Sequence, residues 1–268
     1  MGHDIVNGLS KIARAISTRL DRLSEVRDLR KHGKNFPSDM WRLIWKEPHE
    51  LADYIDLSVF IDAEKPVTLL DVGANVGKFT SNFVKFFPKT STYAFEPVPE
   101  TFEMLRANVE QIAQLHQLAL SDSSLPRQIW VDTNHTLSSL EQYRPIVNEL
   151  YQMQYSRQIE IQCARLDDLE IGPLEEQVIL KVDVQGHEVA MFNGAKETLR
   201  RVDVVLAELT FAPEYEDLAP SFPHVCDLLR EADLYPIVFQ DYGRSRSNYG
   251  FERDVVFAKR NLLDRIWR

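Results

Sequence analysis

The sequence predicts an α/β chain built on a doubly wound, mostly parallel sheet, with a helical extension in front of it. Three observations carry this reading. After Pro66, short apolar runs alternate with stretches of helical periodicity, the pattern that parallel strands joined by crossover helices impose. The first run ends in a glycine-bearing turn, Asp71-Val72-Gly73-Ala74-Asn75-Val76-Gly77, that opens a helix. The last two runs, Tyr235 to Gln240 and Asp254 to Lys259, flank a segment rich in Tyr, Gly, Arg and Ser and read as an antiparallel hairpin.

The elements follow in order. Ile5, Leu9, Ile12, Ile16, Leu20, Leu23 and Val26 recur every three or four residues, which places them on one helical face. Residues 1–34 hold eight Lys or Arg against four Asp or Glu, so this helix could touch an anionic membrane surface peripherally. Packing on its own domain or across a homodimer is the plainer use. A second helical stretch starts near Ser38, a suitable N-cap, passes Trp41 and Trp45, and restarts after Pro48 towards Ile55. Together these form an N-terminal extension, residues 1–62, ahead of a main domain, residues 63–268. In that domain the strand candidates are Val67 to Val72, Ser91 to Phe95, Gln114 to Leu120, Gln128 to Val131, Ile159 to Ala164, Val178 to Val184 and Val202 to Leu209. Helices fit at Lys78 to Phe87, Pro99 to Val109 and Glu188 to Arg200.

Composition narrows the function classes. With 44% hydrophobic and 27% charged residues over 268 positions, the chain has ordinary globular composition and enough length for a sizeable core. A net charge of -10 argues against a nucleic-acid partner, because phosphate-backbone binding needs a positive surface. A small-molecule or glycan partner fits better. The two cysteines, Cys163 and Cys226, make neither a disulfide framework nor a zinc motif. No apolar run approaches the ~20 residues that cross a bilayer, and Ile5 to Ile16 is too polar for a secretory leader. A cytoplasmic protein without an integral membrane segment is the expectation.

The glycine turn is the strongest local signal. Gly73 and Gly77 let the backbone come close to a ligand, and the amides opening the helix beyond offer donors to an anionic group. The spacing is G-x-N-x-G and not G-x-G-x-x-G, which disfavours a dinucleotide and an NAD-dependent oxidoreductase. Glu96 ends the next strand candidate, 25 residues beyond Asp71, where a carboxylate can accept both hydroxyls of a ribose. Pro97 adds a flat apolar surface for a base. Further on, Lys181 and Asp183 stand at i and i+2 on one face of a strand. Their burial implies a functional site or an ion pair.

Together with Phe95-Glu96-Pro97, Ala119-Leu120-Ser121-Asp122, Arg165-Leu166-Asp167-Asp168-Leu169, Leu180-Lys181-Val182-Asp183-Val184-Gln185-Gly186-His187-Glu188 and the Ala207-Glu208-Leu209 strand end, the chain resembles the FkbM-type family of S-adenosylmethionine-dependent methyltransferases over about residues 67–211. The resemblance implies a Rossmann-like class I methyltransferase fold whose seven-stranded sheet has an antiparallel last strand. It places Asp71, Gly73, Asn75, Gly77 and Thr80 around the methionine part of S-adenosyl-L-methionine, Glu96 at the ribose, and Pro97 with Ala119, Leu120 and Ser121 at the adenine. It implies O-methylation of a sugar, glycan or secondary-metabolite hydroxyl. A non-catalytic nucleotide-binding module with the same fold is the alternative.

A hydroxyl is a weak acid, so a base or a metal must handle its proton. Asp183, His187 and Glu208 are the catalytic candidates. Plainer readings exist as well: Asp183 as the partner of Lys181, His187 as a solvated turn residue, and the neighbouring Glu188 as a carboxylate at a helix N-terminus. Asp183, Glu188 and Glu208 could also hold a divalent cation such as Mg²⁺, which stays open. His135 could act from a loop, and Arg244 and Arg246 could grip an acidic acceptor.

Overall fold

The computed structural model describes residues 52–132, 137–151, 155–240 and 252–266. The helices expected within residues 1–51, and His135, Arg244 and Arg246, lie outside the described residues. The chain divides into two units, Met1–Ile55 and Asp56–Arg268. Of the first, only the opening residues of helix α1 (Ala52–Phe60) are described.

The second unit alternates strand and helix as its apolar pattern requires: β1 (Val67–Val72), α2 (Lys78–Phe86), β2 (Thr90–Phe95), α3 (Pro99–Val109), β3 (Gln114–His116) and β4 (Ala119–Leu120). An insertion follows, with β5 (Arg127–Asp132), α4 (Pro145–Tyr151) and β6 (Tyr155–Ile161). Then come β7 (Cys163–Ala164), a 3₁₀ turn at Leu166–Asp168, β8 (Gln177–Val182), α5 (Glu188–Asn193), α6 (Lys196–Leu199), β9 (Val204–Thr210), α7 (Ser221–Glu231), β10 (Leu234–Phe239), β11 (Glu252–Lys259) and α8 (Arg260–Ile266).

Seven strands form the main sheet in the order β10-β11-β9-β8-β1-β2-β3. All run the same way except β11, which is antiparallel to both β9 and β10. This is the class I methyltransferase arrangement. Strand β1 is buried along its whole length, as a central parallel strand covered on both faces must be. Leu70, Val72, Leu180, Val182, Val205 and Ala207 join Met191, Phe192, Val225 and Leu229 in the largest core cluster. Chain order reverses between β1 and β8, and ligands of open α/β sheets bind at such a switch point, beyond the carboxyl ends of the strands.

Two departures from the sequence reading have visible causes. The stretch Gln114 to Leu120 is not one strand: β3 pairs with β2, whereas β4 pairs with β7 in a separate two-stranded sheet. A tight turn in which the Leu118 N–H donates to the His116 carbonyl separates them. The helix expected over Glu188 to Arg200 breaks at Gly194-Ala195 into α5 and α6. Gly194 packs so close to the Ser121 carbonyl that a Cβ on it would lie 1.9 Å away, and the backbone there serves that contact in place of helical continuity. Helix α4 was not read from the sequence, although Pro145 suits a first helical position.

Candidate functional site

A cleft opens at the carboxyl ends of β1, β2, β4 and β8. Its floor is the turn after β1. Gly73 and Gly77 have φ of 72° and 82°, and Asn75 has φ of 50°, so three residues of five sit in the left-handed region that glycine and asparagine tolerate best. A Cβ on Gly73 would lie 1.8 Å from the Asp183 carbonyl oxygen, which leaves glycine as the only residue that fits. The Gly73 and Ala74 amides donate to the Phe95 carbonyl. The Asp183 amide donates to the Val72 carbonyl. These bonds fix the ends of β1, β2 and β8 against one another.

Glu96 is almost fully buried in the middle of the cleft. Its Oε2 accepts the Asn75 amide at 3.1 Å and its Oε1 accepts the Val98 amide at 3.0 Å. Burial pushes its pKa up to about 7, against the pull of those two amides and of Lys181. Around it Phe95, Pro97, Val98, Leu118, Ala119, Leu120, Ile129 and Leu140 make apolar walls.

The expected cofactor residues fall into two groups. Gly73, Asn75, Glu96, Pro97, Ala119 and Leu120 line the cleft. Asp71, Gly77, Thr80 and Ser121 lie behind its surface, all buried. Thr80 Oγ1 donates to Asp71 Oδ2 at 2.6 Å, and Lys181 Nζ lies 3.4 Å from Asp71 Oδ1 while donating to the Gly73 carbonyl at 2.8 Å. Burial disfavours the charge on Lys181, but the Asp71 and Asp183 carboxylates outweigh that and hold its pKa above the ordinary lysine value. This buried pair ties α2 and β8 to the turn from beneath. Thr80→Val, which removes one hydrogen bond to a buried carboxylate, is expected to lower stability by about 1.5 kcal/mol, read as a lower urea midpoint.

Asp183 borders the cleft with a side chain 39% exposed, 3.5 Å from Lys181 Nζ. Gln185 Nε2 donates to Asp183 Oδ1 at 2.8 Å and to Glu208 Oε2 at 2.7 Å. Burial, together with Asp183 and Glu252 nearby, raises the Glu208 pKa well above the carboxylate range. His187 is 3% exposed and has both ring nitrogens engaged: Ser121 Oγ lies 2.9 Å from Nε2, and Glu141 Oε1 lies 2.8 Å from Nδ1. Burial alone would raise Glu141, but its bonds to His187 and Arg127 hold it below the usual value. Glu188 is turned away from the cleft, accepts the Gly186 amide at 2.8 Å, and is raised to about 7 by burial. Among the described residues no group of three or more His, Cys, Asp or Glu is arranged to hold a metal ion, and no helix is long and apolar enough to cross a membrane.

Of the three expected catalytic groups, then, Asp183 and His187 line the cleft. Glu208 stands behind Gln185, and His187 meets the cleft with both ring nitrogens held by Ser121 and Glu141. Sequence reasoning missed Glu141, Gln185 and Tyr143. Gln185 sits inside a recognisable motif, whereas Glu141 is 46 residues from its partner and nothing local marks it.

Comparison with known proteins gives the family. The methyltransferase FkbM domain matches residues 71–234. The chain is similar to Methyltransferase 1 of Beauveria bassiana, 29% identical over 185 residues that span 59% of this chain and 73% of that one. It is similar to the 2-O-methyltransferase NoeI of Sinorhizobium fredii, 29% identical over 192 residues, 62% and 77% of the two chains. It also resembles the hexuronic acid methyltransferase AglP of Haloferax volcanii, 26% identical over 197 residues, 73% and 74% of the two chains.

Proposed function

Because the chain belongs to the FkbM methyltransferase family, we propose that it transfers a methyl group from S-adenosyl-L-methionine to a hydroxyl of a sugar, a glycan or a sugar-like secondary metabolite. The observation that carries the reading is the cleft itself, which offers three environments in a row. There is a left-handed backbone turn at Gly73 to Asn75, a buried carboxylate at Glu96, and apolar walls from Pro97, Ala119, Leu120 and Leu140. These suit, in turn, an amino-acid end, a ribose diol and an adenine. Bound there, the cofactor supplies an electrophilic methyl on a positively charged sulfur.

The chain's own residues do the rest. The turn and the walls hold an acceptor oxygen in line, and positioning of this kind can supply ~7–11 kcal/mol of the barrier. Asp183, at the rim with its carboxylate open to solvent, takes the hydroxyl proton. Glu208 supports that geometry through Gln185, and His187 borders the same cleft. NoeI is named for a 2-O position and AglP for a hexuronic acid, and both names favour a polyhydroxylated acceptor over an amine or a carbon centre. Residues 63–268 are the domain that carries this activity.

The test is mass spectrometry of sugar, oligosaccharide and metabolite pools incubated with the protein and methyl-labelled cofactor. A labelled methyl ether on a sugar is the expected product. A label on nitrogen or carbon would overturn the reading, and cofactor binding with no labelled product from any pool would favour a non-catalytic module.

A further inference from the structure

We propose that Gln185 is a positioning residue for methyl transfer, the link through which the segment Ser139–Tyr143 sets the orientation of Asp183. The proposal rests on the methyltransferase reading above and adds to it the means by which the proton acceptor is held.

Gln185 stands in the left-handed region with φ of 51°, followed by Gly186 at 96°. A side chain other than glycine adopts that conformation only where its surroundings enforce it, and here they do. The Gly186 position has no room for a Cβ, which would lie 2.4 Å from the Tyr215 ring. The Gln185 carbonyl accepts Ser139 Oγ at 2.5 Å, and Gln185 Oε1 accepts the Tyr143 hydroxyl at 2.7 Å. Its amide nitrogen then spends one proton on Asp183 and the other on Glu208.

An amide is the one side-chain group that can do all of this, donating twice and accepting once from adjoining atoms. A carboxylate at this position would oppose two carboxyls with a third. An apolar residue would take one donor from each.

The strap that enforces the arrangement has two faces. Ser139, Glu141 and Tyr143 alternate along it, and each bonds to the turn at Gln185 to His187. Ser138 and Leu140, on the other face, line the cofactor cleft. Tyr143 is itself fixed by packing against the Tyr215 ring, the two centroids 4.4 Å apart and the planes tilted by 37°. One short segment thus touches the cofactor side with its even residues and the proton acceptor's support with its odd ones.

Tyr143→Phe removes a single hydroxyl and keeps the ring, so it tests the link even if Gln185 variants fold poorly. With an acceptor found in the product screen, Tyr143→Phe and Gln185→Leu should each lower kcat by about 10- to 100-fold, the scale expected when a reacting group is misplaced. Acceptor KM and S-adenosylhomocysteine affinity should stay near wild type. The double variant should be no slower than Gln185→Leu, because coupled residues are not additive. Losses that multiply, or wild-type kcat in Tyr143→Phe, would overturn the proposal.

A readout without acceptor separates this from the sugar reading: carboxyl-carbon NMR of glutamate-labelled protein, with the Glu208 signal assigned by its loss in Glu208→Gln. Tyr143→Phe should shift the Glu208 titration by freeing the Gln185 amide to turn. An unmoved titration would refute the link whatever the acceptor proves to be. A moved titration with no sugar product would leave the link standing and refute the acceptor.

Discussion

Asp183→Asn is expected to reduce turnover by roughly 10²- to 10⁴-fold, the range that a positioned general base contributes, while leaving S-adenosylhomocysteine affinity close to wild type. The two effects separate because the asparagine keeps the shape of the side chain and the backbone around it is untouched. The Asp183 amide still bonds the Val72 carbonyl, and Lys181 still has Asp71 and the Gly73 carbonyl. What is lost is the negative charge at the rim, and with it both the ability to take a proton there and the ion pair to Lys181. Steady-state kinetics with the acceptor from the product screen, alongside calorimetry with S-adenosylhomocysteine, reads both quantities. Unchanged turnover would move the proton to another group, and a collapse of cofactor affinity would mean that Asp183 acts on the cofactor.

Glu96→Ala is expected to weaken cofactor binding by about 2–3 kcal/mol, the loss of two hydrogen bonds to a charged group. This corresponds to a roughly 30- to 160-fold higher Kd. The pH dependence gives the prediction a sign. Burial raises the free Glu96 carboxyl to about 7, and only its ionised form can accept both ribose hydroxyls. Affinity should therefore be full above that value and fall as pH drops through it, approaching a tenfold loss per unit on the acid side. Calorimetry from pH 6 to pH 8 should show that slope in the wild type and none in Glu96→Ala. A wild-type affinity that is flat or rises on acidification would contradict the role given to Glu96.

Much of this was legible in the sequence because the signals are local. The run Leu69 to Val72 followed by two glycines within five residues fixes a strand, a left-handed turn and a helix start within one stretch of chain. Glu96-Pro97 ends the next strand at a spacing that one crossover helix explains. Lys181 and Asp183 share a face, and the structure adds Asp71 as the deeper partner of that lysine. The C-terminal hairpin was legible from two apolar runs around a polar segment.

What stayed hidden depends on distance along the chain. That both ring nitrogens of His187 are engaged is decided by Ser121 and Glu141, 66 and 46 residues away. The break between β3 and β4 follows from a competing partner, β7, that no periodicity in Gln114 to Leu120 announces. Asp71 and Thr80 carry motif positions, yet their side chains turn inward because a buried lysine needs a counter-charge more than the cleft needs another carboxylate.

The most direct test is a crystal structure of the protein with S-adenosylhomocysteine. The account predicts the ribose hydroxyls on the Glu96 carboxylate, the amino-acid end over Gly73 to Asn75, the adenine between Pro97 and Leu140, and the sulfur facing Asp183. Nucleoside density elsewhere on the molecule, or a cleft closed by its own side chains with the ligand in excess, would contradict it.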